Sequence, residues 1–96
     1  MKMHTVIAFD VSSDLRRTRV VKALKALAVR LQRSVFEAAG LEEASLLRLR
    51  SELEGQIKPE EDCVVYVRLC RACAGRMVVV GKRFEEAEPD EPVKVI

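Results

Sequence analysis

The stretch Thr5–Leu24, "TVIAFDVSSDLRRTRVVKAL", decides how the chain folds. It opens on an apolar, β-branched run, and His4–Phe9 is expected to form a buried strand. The run ends at a single acid, Asp10. Two serines follow, and Ser12 or Ser13 can cap a helix in which Asp14 suits the positive end of the dipole. Leu15, Val20, Val21, Leu24, Leu27 and Ala28 then recur at helical spacing, leaving Arg16, Arg17, Arg19, Lys22 and Lys25 mostly outside. The unit is a strand, a short polar loop and a basic amphipathic helix.

Outward from this unit, "RLQRSVFEA" (Arg30–Ala38) alternates and reads as a second strand, broken by Gly40. "LEEASLLRLRSELEGQI" (residues 41–57) places Leu46, Leu49, Leu53 and Ile57 on one face of a second amphipathic helix, ended by Lys58 and Pro59. "CVVYVRLC" reads as a third strand, "RACAG" as a tight connection and "RMVVVGK" as a fourth strand. The order is taken as βαββαβ. In so short a chain this points to an α+β, ferredoxin-like sandwich, with an antiparallel sheet and both helices on one face. The other face then stays open, with Val64, Tyr66, Val78 and Val80 adding apolar surface, so a homodimer through that face or a sheet edge is expected. The tail "EEAEPDEPVKVI" starts acidic and proline-punctuated, then closes on the alternation of Val93 and Val95. Residues 1–84 are therefore read as the domain, and 85–96 as a linker with a short strand that pairs with the partner protomer.

A chain of 96 residues has room for one hydrophobic core. No apolar run approaches the roughly 18 residues needed to span a bilayer. The start, "MKMHTVIAFD", has one Lys and a short apolar stretch that ends in Asp10, unlike a secretory signal. A cytoplasmic protein without a membrane partner is expected. Net charge is only +2, but its distribution is uneven. From Leu15 to Phe36 there is no acid and there are seven bases: Arg16, Arg17, Arg19, Lys22, Lys25, Arg30 and Arg33. Glu37 to Asp62 holds eight acids, and Glu85 to Glu91 five more. A basic side facing DNA or RNA is one reading of this asymmetry; a solvated helix face is the other.

Asp10, at the carboxyl end of the first strand, is a candidate ligand for a hard cation such as Mg²⁺, which is commonly held by one or two carboxylates plus waters and phosphate oxygens. Two copies of Asp10 across a dimer axis would make a better site than one. The alternative is an Asx-type turn in which Asp10 accepts from the amide of Ser12 or Ser13. Arg16, Arg17 and Arg19 oppose the helix dipole at a cost of roughly 0.3–1 kcal/mol each, which adds weight to a phosphate-facing role. Phe36 lies among Arg30, Gln32 and Ser34 in the alternation, which suggests an interface or a base-stacking platform; burial in a central strand is the competing reading. Cys63, Cys70 and Cys73 do not complete a zinc site, and "CRACAG" lies between two predicted strands rather than opening a helix. The cysteines and His4 are taken as structural. No glycine-rich phosphate loop, G-x-S-x-G or H-E-x-x-H is present.

The strand ending in Phe9–Asp10, the loop and arginines of "FDVSSDLRR", and "QRSVFE" together strongly resemble the small CRISPR-associated protein 2 family. The likeness runs over nearly the whole chain and includes "LCRAC". The resemblance implies a ferredoxin-like homodimer whose C-terminal strand crosses to its partner, active in CRISPR spacer acquisition. It implies a metal-dependent endonuclease on single-stranded RNA or double-stranded DNA, with Asp10 and its dimer mate binding Mg²⁺, or Mn²⁺ in its place. Arg17, Arg19, Arg30 and Phe36 fall at positions linked in the family to activity or nucleic-acid contact. The residue before the aspartate is usually Tyr in the family, so Phe9 departs from the pattern and lacks a phenolic hydroxyl, and with Phe36 it is read as an interface or substrate contact. No general base beyond metal-activated water is evident, which suits slow or conditional catalysis. Two alternatives stand beside this one. The first is a non-catalytic, DNA-binding scaffold that bridges CRISPR integrase dimers; the second is a toxin-type RNA-cleaving relative of the same fold.

Overall fold

A four-stranded antiparallel sheet in the order β2-β3-β1-β4 organises the protein. Its computed structural model describes residues 3–82. The elements are β1 (Met3–Asp10), α1 (Asp14–Lys25), β2 (Val29–Gln32), β3 (Val35–Leu41), α2 (Glu43–Glu54), β4 (Cys63–Leu69) and a single turn of helix, α3 (Arg71–Ala74). Up to β4 this is the expected βαββαβ order of a ferredoxin-like α+β fold.

The order is reached by a different route from the one the sequence suggests, since the elements read there run βαβαββ when taken in turn. Arg30–Ala38 is not one strand but the greater part of a hairpin, turning at Arg33–Ser34 and pairing Arg30 with Phe36 and Gln32 with Val35. Gly40 does not end the second of these strands. It sits inside β3 with φ of 68°, at a register shift that opposes Met3 to Leu41 but Thr5 to Ala38. A left-handed backbone there suits a residue without Cβ, and the bulge lets β3 run on to Leu41. "RMVVVGK" forms no strand; Val78 and Val80 are 80% and 91% exposed. β-branched residues favour strands only where a neighbour can pair with them. The expected C-terminal strand at 85–96 lies outside the described residues.

β1 divides the sheet into two faces. Thr5, Ile7 and Phe9 point into the helical layer and are buried. There Ile7 and Phe9 pack with Val20 and Leu24 of α1, Phe36 of β3, and Leu49 and Leu53 of α2. Ser13 is the cap that starts α1, its Oγ accepting from the Arg16 amide at 3.3 Å. On the opposite face, register sets Ala8 between Val35 and Val65, and Val6 between Glu37 and Val67. Val65 and Val67 are about half exposed. Val64 and Tyr66, expected on the open face, instead pack against the core.

Candidate nucleic-acid and metal site

Asp10 is the last residue of β1, and the loop that leads from it to α1 is pinned from both sides. On one side, Asp10 stays in the ladder opposite Cys63. On the other, the residue just before Cys63, Asp62, reaches into the loop. Its carboxylate is fully buried and receives five donors. Oδ1 accepts from the Ser12 amide (3.0 Å), Ser12 Oγ (3.2 Å) and Arg16 Nη2 (3.2 Å). Oδ2 accepts from Arg16 Nε (2.8 Å) and the Lys58 amide (2.9 Å). The two-pronged contact from Arg16 is the strongest hydrogen-bond geometry available to a carboxylate. The Arg16 guanidinium, then the Lys58 and Ser12 amides, hold the Asp62 carboxyl well below the usual carboxylate range, against the opposing effect of desolvation. Arg16 in turn is held above its ordinary value, mainly by the Asp62 hydrogen bond.

The role imagined for Asp10 as a turn-forming carboxylate is therefore taken by Asp62. The amide of Ser12 donates to Asp62. Asp10 itself is exposed, and among the described residues its carboxylate has no hydrogen-bond or ion-pair partner. By the two-residue period of a strand it continues the row His4, Val6, Ala8 on the open face. Asp10 thus ends that row beside the apolar surface, not against the helices.

The predicted arginines separate into distinct roles. Arg16 is mostly enclosed by its contacts with Asp62 and with Glu61, the latter at 3.6 Å. Arg17 is tied to the residue after Asp10: its Nη1 donates to the Val11 carbonyl at 2.9 Å, and its Nη2 pairs with the exposed Asp14. Arg19 is exposed and, with Lys22 and Arg48, lines a groove between α1 and α2. Arg30 folds over the Phe36 ring, 5.4 Å from its centroid, and donates to the Arg33 carbonyl. Arg33 is exposed at the hairpin turn.

Phe9 and Phe36, expected at an interface or on a substrate, are core residues. Phe36 is 0% exposed and Phe9 is 7%, their ring centroids 6.1 Å apart. A ring closed in on all sides offers no face to a base. His4 is structural as expected, its Nε2 lying 2.8 Å from Glu37 Oε2 across the open face. The cysteines are not packed into the core. All three are exposed, and Cys70 does open a short helix after a strand.

As a metal site, the end of β1 offers one carboxylate without a partner among the described residues, that of Asp10. No group of three or more His, Cys, Asp or Glu side chains able to hold an ion occurs among the described residues. A hard oxygen donor with no competing partner fits Mg²⁺, and fits it as half of a site rather than a whole one.

Asp62 was legible in the sequence only as one acid in "EED". Nothing in the local pattern marks it, because its partners Ser12 and Arg16 lie 50 and 46 positions away.

No helix among the described residues is long and apolar enough to cross a membrane. The family model described as "CRISPR associated protein Cas2" matches residues 3–77. A protein of Chloroflexus aurantiacus named CRISPR-associated endoribonuclease Cas2 3 is 40% identical over 89 residues, covering 93% of this chain and 95% of the relative. A Thermus thermophilus protein named CRISPR-associated endoribonuclease Cas2 is 35% identical over 91 residues, 91% of this chain and 96% of its own. Among solved structures, a hypothetical protein of Thermus thermophilus, TT1823, superposes with a TM-score of 0.78 at 27% identity, covering 88% of this chain and 98% of that one. The matched span takes in β1 with Asp10, the loop that Asp62 clamps, the hairpin and the turn after β4, and on these grounds the chain belongs to the CRISPR-associated protein Cas2 family.

Proposed function

We propose that the protein is a nucleic-acid-binding homodimer of CRISPR adaptation that cleaves phosphodiester bonds with the help of Mg²⁺. The observation that carries this reading is Asp10: an exposed carboxylate, unpartnered among the described residues, at the rim of the open sheet face and at the head of a loop clamped in place by Asp62. Family membership supports the nuclease role, since the relatives just described are named endoribonucleases.

Asp10 and its counterpart on a second protomer would hold the ion. When bound, Mg²⁺ supplies Lewis-acid polarisation of a phosphate oxygen and activation of a water. The remaining work falls to this chain's own side chains. Arg17, fixed to the loop one residue beyond Asp10, can exchange the exposed Asp14 for a phosphate oxygen and so seat the backbone beside the carboxylate. Arg16 is committed to Asp62, and its part is to keep the loop in shape rather than to touch substrate.

The decisive comparison is wild type against Asp10→Ala on labelled single-stranded RNA and duplex DNA over a Mg²⁺ series. Wild type cuts one of them; the variant keeps its affinity and cuts about a hundredfold more slowly or worse, as expected for removal of one electrostatic stabiliser. Equal cutting by both overturns the role of Asp10.

A second reading, a scaffold that holds DNA between integrase dimers, has its own support. The groove with Arg19, Lys22 and Arg48 is basic, and it runs along α1 and α2 away from Asp10. Lys22 lies eight residues along α1 from Asp14, about 12 Å at the helical rise. Such a surface binds a phosphate backbone without Asp10. Binding of DNA by both proteins with cleavage by neither selects the scaffold.

A further inference from the structure

The C-x-x-C pair plays no part in the site above, and its geometry is that of a reactive dithiol. β4 ends at Leu69, and Cys70 is the cap residue from which α3 starts. The Ala74 amide donates to the Cys70 carbonyl at 2.9 Å, closing one helical turn. Residues three apart on such a turn face the same side. Cys70 and Cys73 are both exposed, so the two thiols are open to a reagent in solution on the same side of the turn. Their surroundings make the two sulfurs unequal. The Cys73 amide, then the Cys73 thiol, hold Cys70 below the ordinary thiol range, while the hydrogen bond to Cys70 pushes Cys73 up. Arg71 stands between them and Arg76 just beyond, both exposed, which suits an anionic reaction partner.

We propose that Cys70 and Cys73 form a thiol–disulfide exchange site for anionic low-molecular-weight disulfides, with Cys70 as the attacking sulfur and Cys73 as the resolving one. The Cys70 thiolate attacks one sulfur of R–S–S–R, forming the mixed disulfide Cys70–S–S–R and releasing RS⁻, which takes up the proton Cys70 gave up. Cys73 then loses its proton and attacks the Cys70 sulfur, closing the Cys70–Cys73 disulfide and releasing the second RS⁻ to be protonated. Two protein thiols are oxidised by two electrons, and one disulfide is reduced to two thiols. Cys63 is excluded as resolving partner within the chain. It lies at the other end of β4, about 23 Å from Cys70 at the rise of a strand, against the roughly 7 Å that a disulfide tolerates between Cα atoms.

The test is incubation of the full chain with oxidised glutathione, acid quenching, alkylation and mass spectrometry. Wild type and Cys63→Ser are expected to gain one intramolecular disulfide between Cys70 and Cys73. Cys73→Ser is expected to stop at a glutathione adduct on Cys70, and Cys70→Ser to react at Cys73 about tenfold more slowly or less. Because these side chains are exposed, the variants fold, which circular dichroism confirms. A wild type that stays reduced overturns the proposal. So does equal glutathionylation of all three cysteines, or a disulfide that links two protomers instead.

Discussion

At the scale of single residues, Asp62 and Asp10 show how little residue type says without its donors. Both are aspartates at the ends of strands, one residue removed from each other across the ladder, yet one is closed in by five donors and the other is open. A buried carboxylate is tolerable only when its lone pairs are satisfied, and removing it leaves Arg16 enclosed without its counter-charge. Asp62→Asn keeps the shape and loses the charge. Its effect on stability depends on pH, and the sign follows from the shift. The folded carboxyl titrates below its ordinary value of 3.8, so its contribution is complete above that value and is lost as pH falls toward the folded pKa. Wild type should therefore lose stability steadily on acidification below about pH 4, and Asp62→Asn should follow a flatter line there. At neutral pH the variant should melt lower by about 5–10 °C. Urea titrations at a series of pH values check the first, and a thermal melt followed by circular dichroism at pH 7 checks the second. The position of Asp10 could be read from the sequence because it depends on where one strand stops. The clamp could not, because it joins side chains from opposite ends of the domain.

At the scale of elements, the helices and β1 were legible because apolar residues recur with an unbroken period. The hairpin was not, and the reason lies in "QRSV". Its turn residues Arg33 and Ser34 include no Gly, Asn or Pro, and the alternation runs on across them, so one strand and two look alike. The consequence falls on Phe36. In a single strand it sits beside polar neighbours. In the hairpin its side chain enters the core against Phe9, and Arg30 from the paired strand covers its ring. Phe36→Ala should cost about 3–5 kcal/mol of stability. Phe36→Leu, nearer in volume, should cost less than about 1.5 kcal/mol. Nucleic-acid affinity of the folded Leu variant should match wild type in a filter-binding titration, since a buried ring contributes no stacking. A large loss of affinity in a Leu variant of normal stability would restore the stacking role.

At the scale of the whole molecule, the uncovered sheet face is the feature that asks for a partner. Two rows cross it, Val35–Ala8–Val65 and Glu37–Val6–Val67, and β4 pairs on one side only among the described strands. The valines and alanine of these rows, with a strand edge open among the described strands, suit association of two copies. The double variant Val65→Glu, Val67→Glu should turn a dimer into a monomer in sedimentation equilibrium, with the far-ultraviolet spectrum unchanged, because both side chains already reach solvent in the protomer. Asp10 ends the strand that carries Ala8 and Val6 across this face, and in the dimer proposed above its two carboxylates would hold one ion between them. This makes the stoichiometry of the site measurable. If the ion needs both carboxylates, a dimer of one wild-type and one Asp10→Ala protomer is inactive. An equal mixture allowed to exchange subunits should then retain about one quarter of the wild-type rate, the share of dimers with two intact copies, against about one half if each protomer acts alone. Subunit exchange is followed by native mass spectrometry of tagged chains and cleavage by labelled substrate. A value near one half would place a complete site within each protomer. A value near one quarter would mean that the catalytic site exists only in the assembled pair.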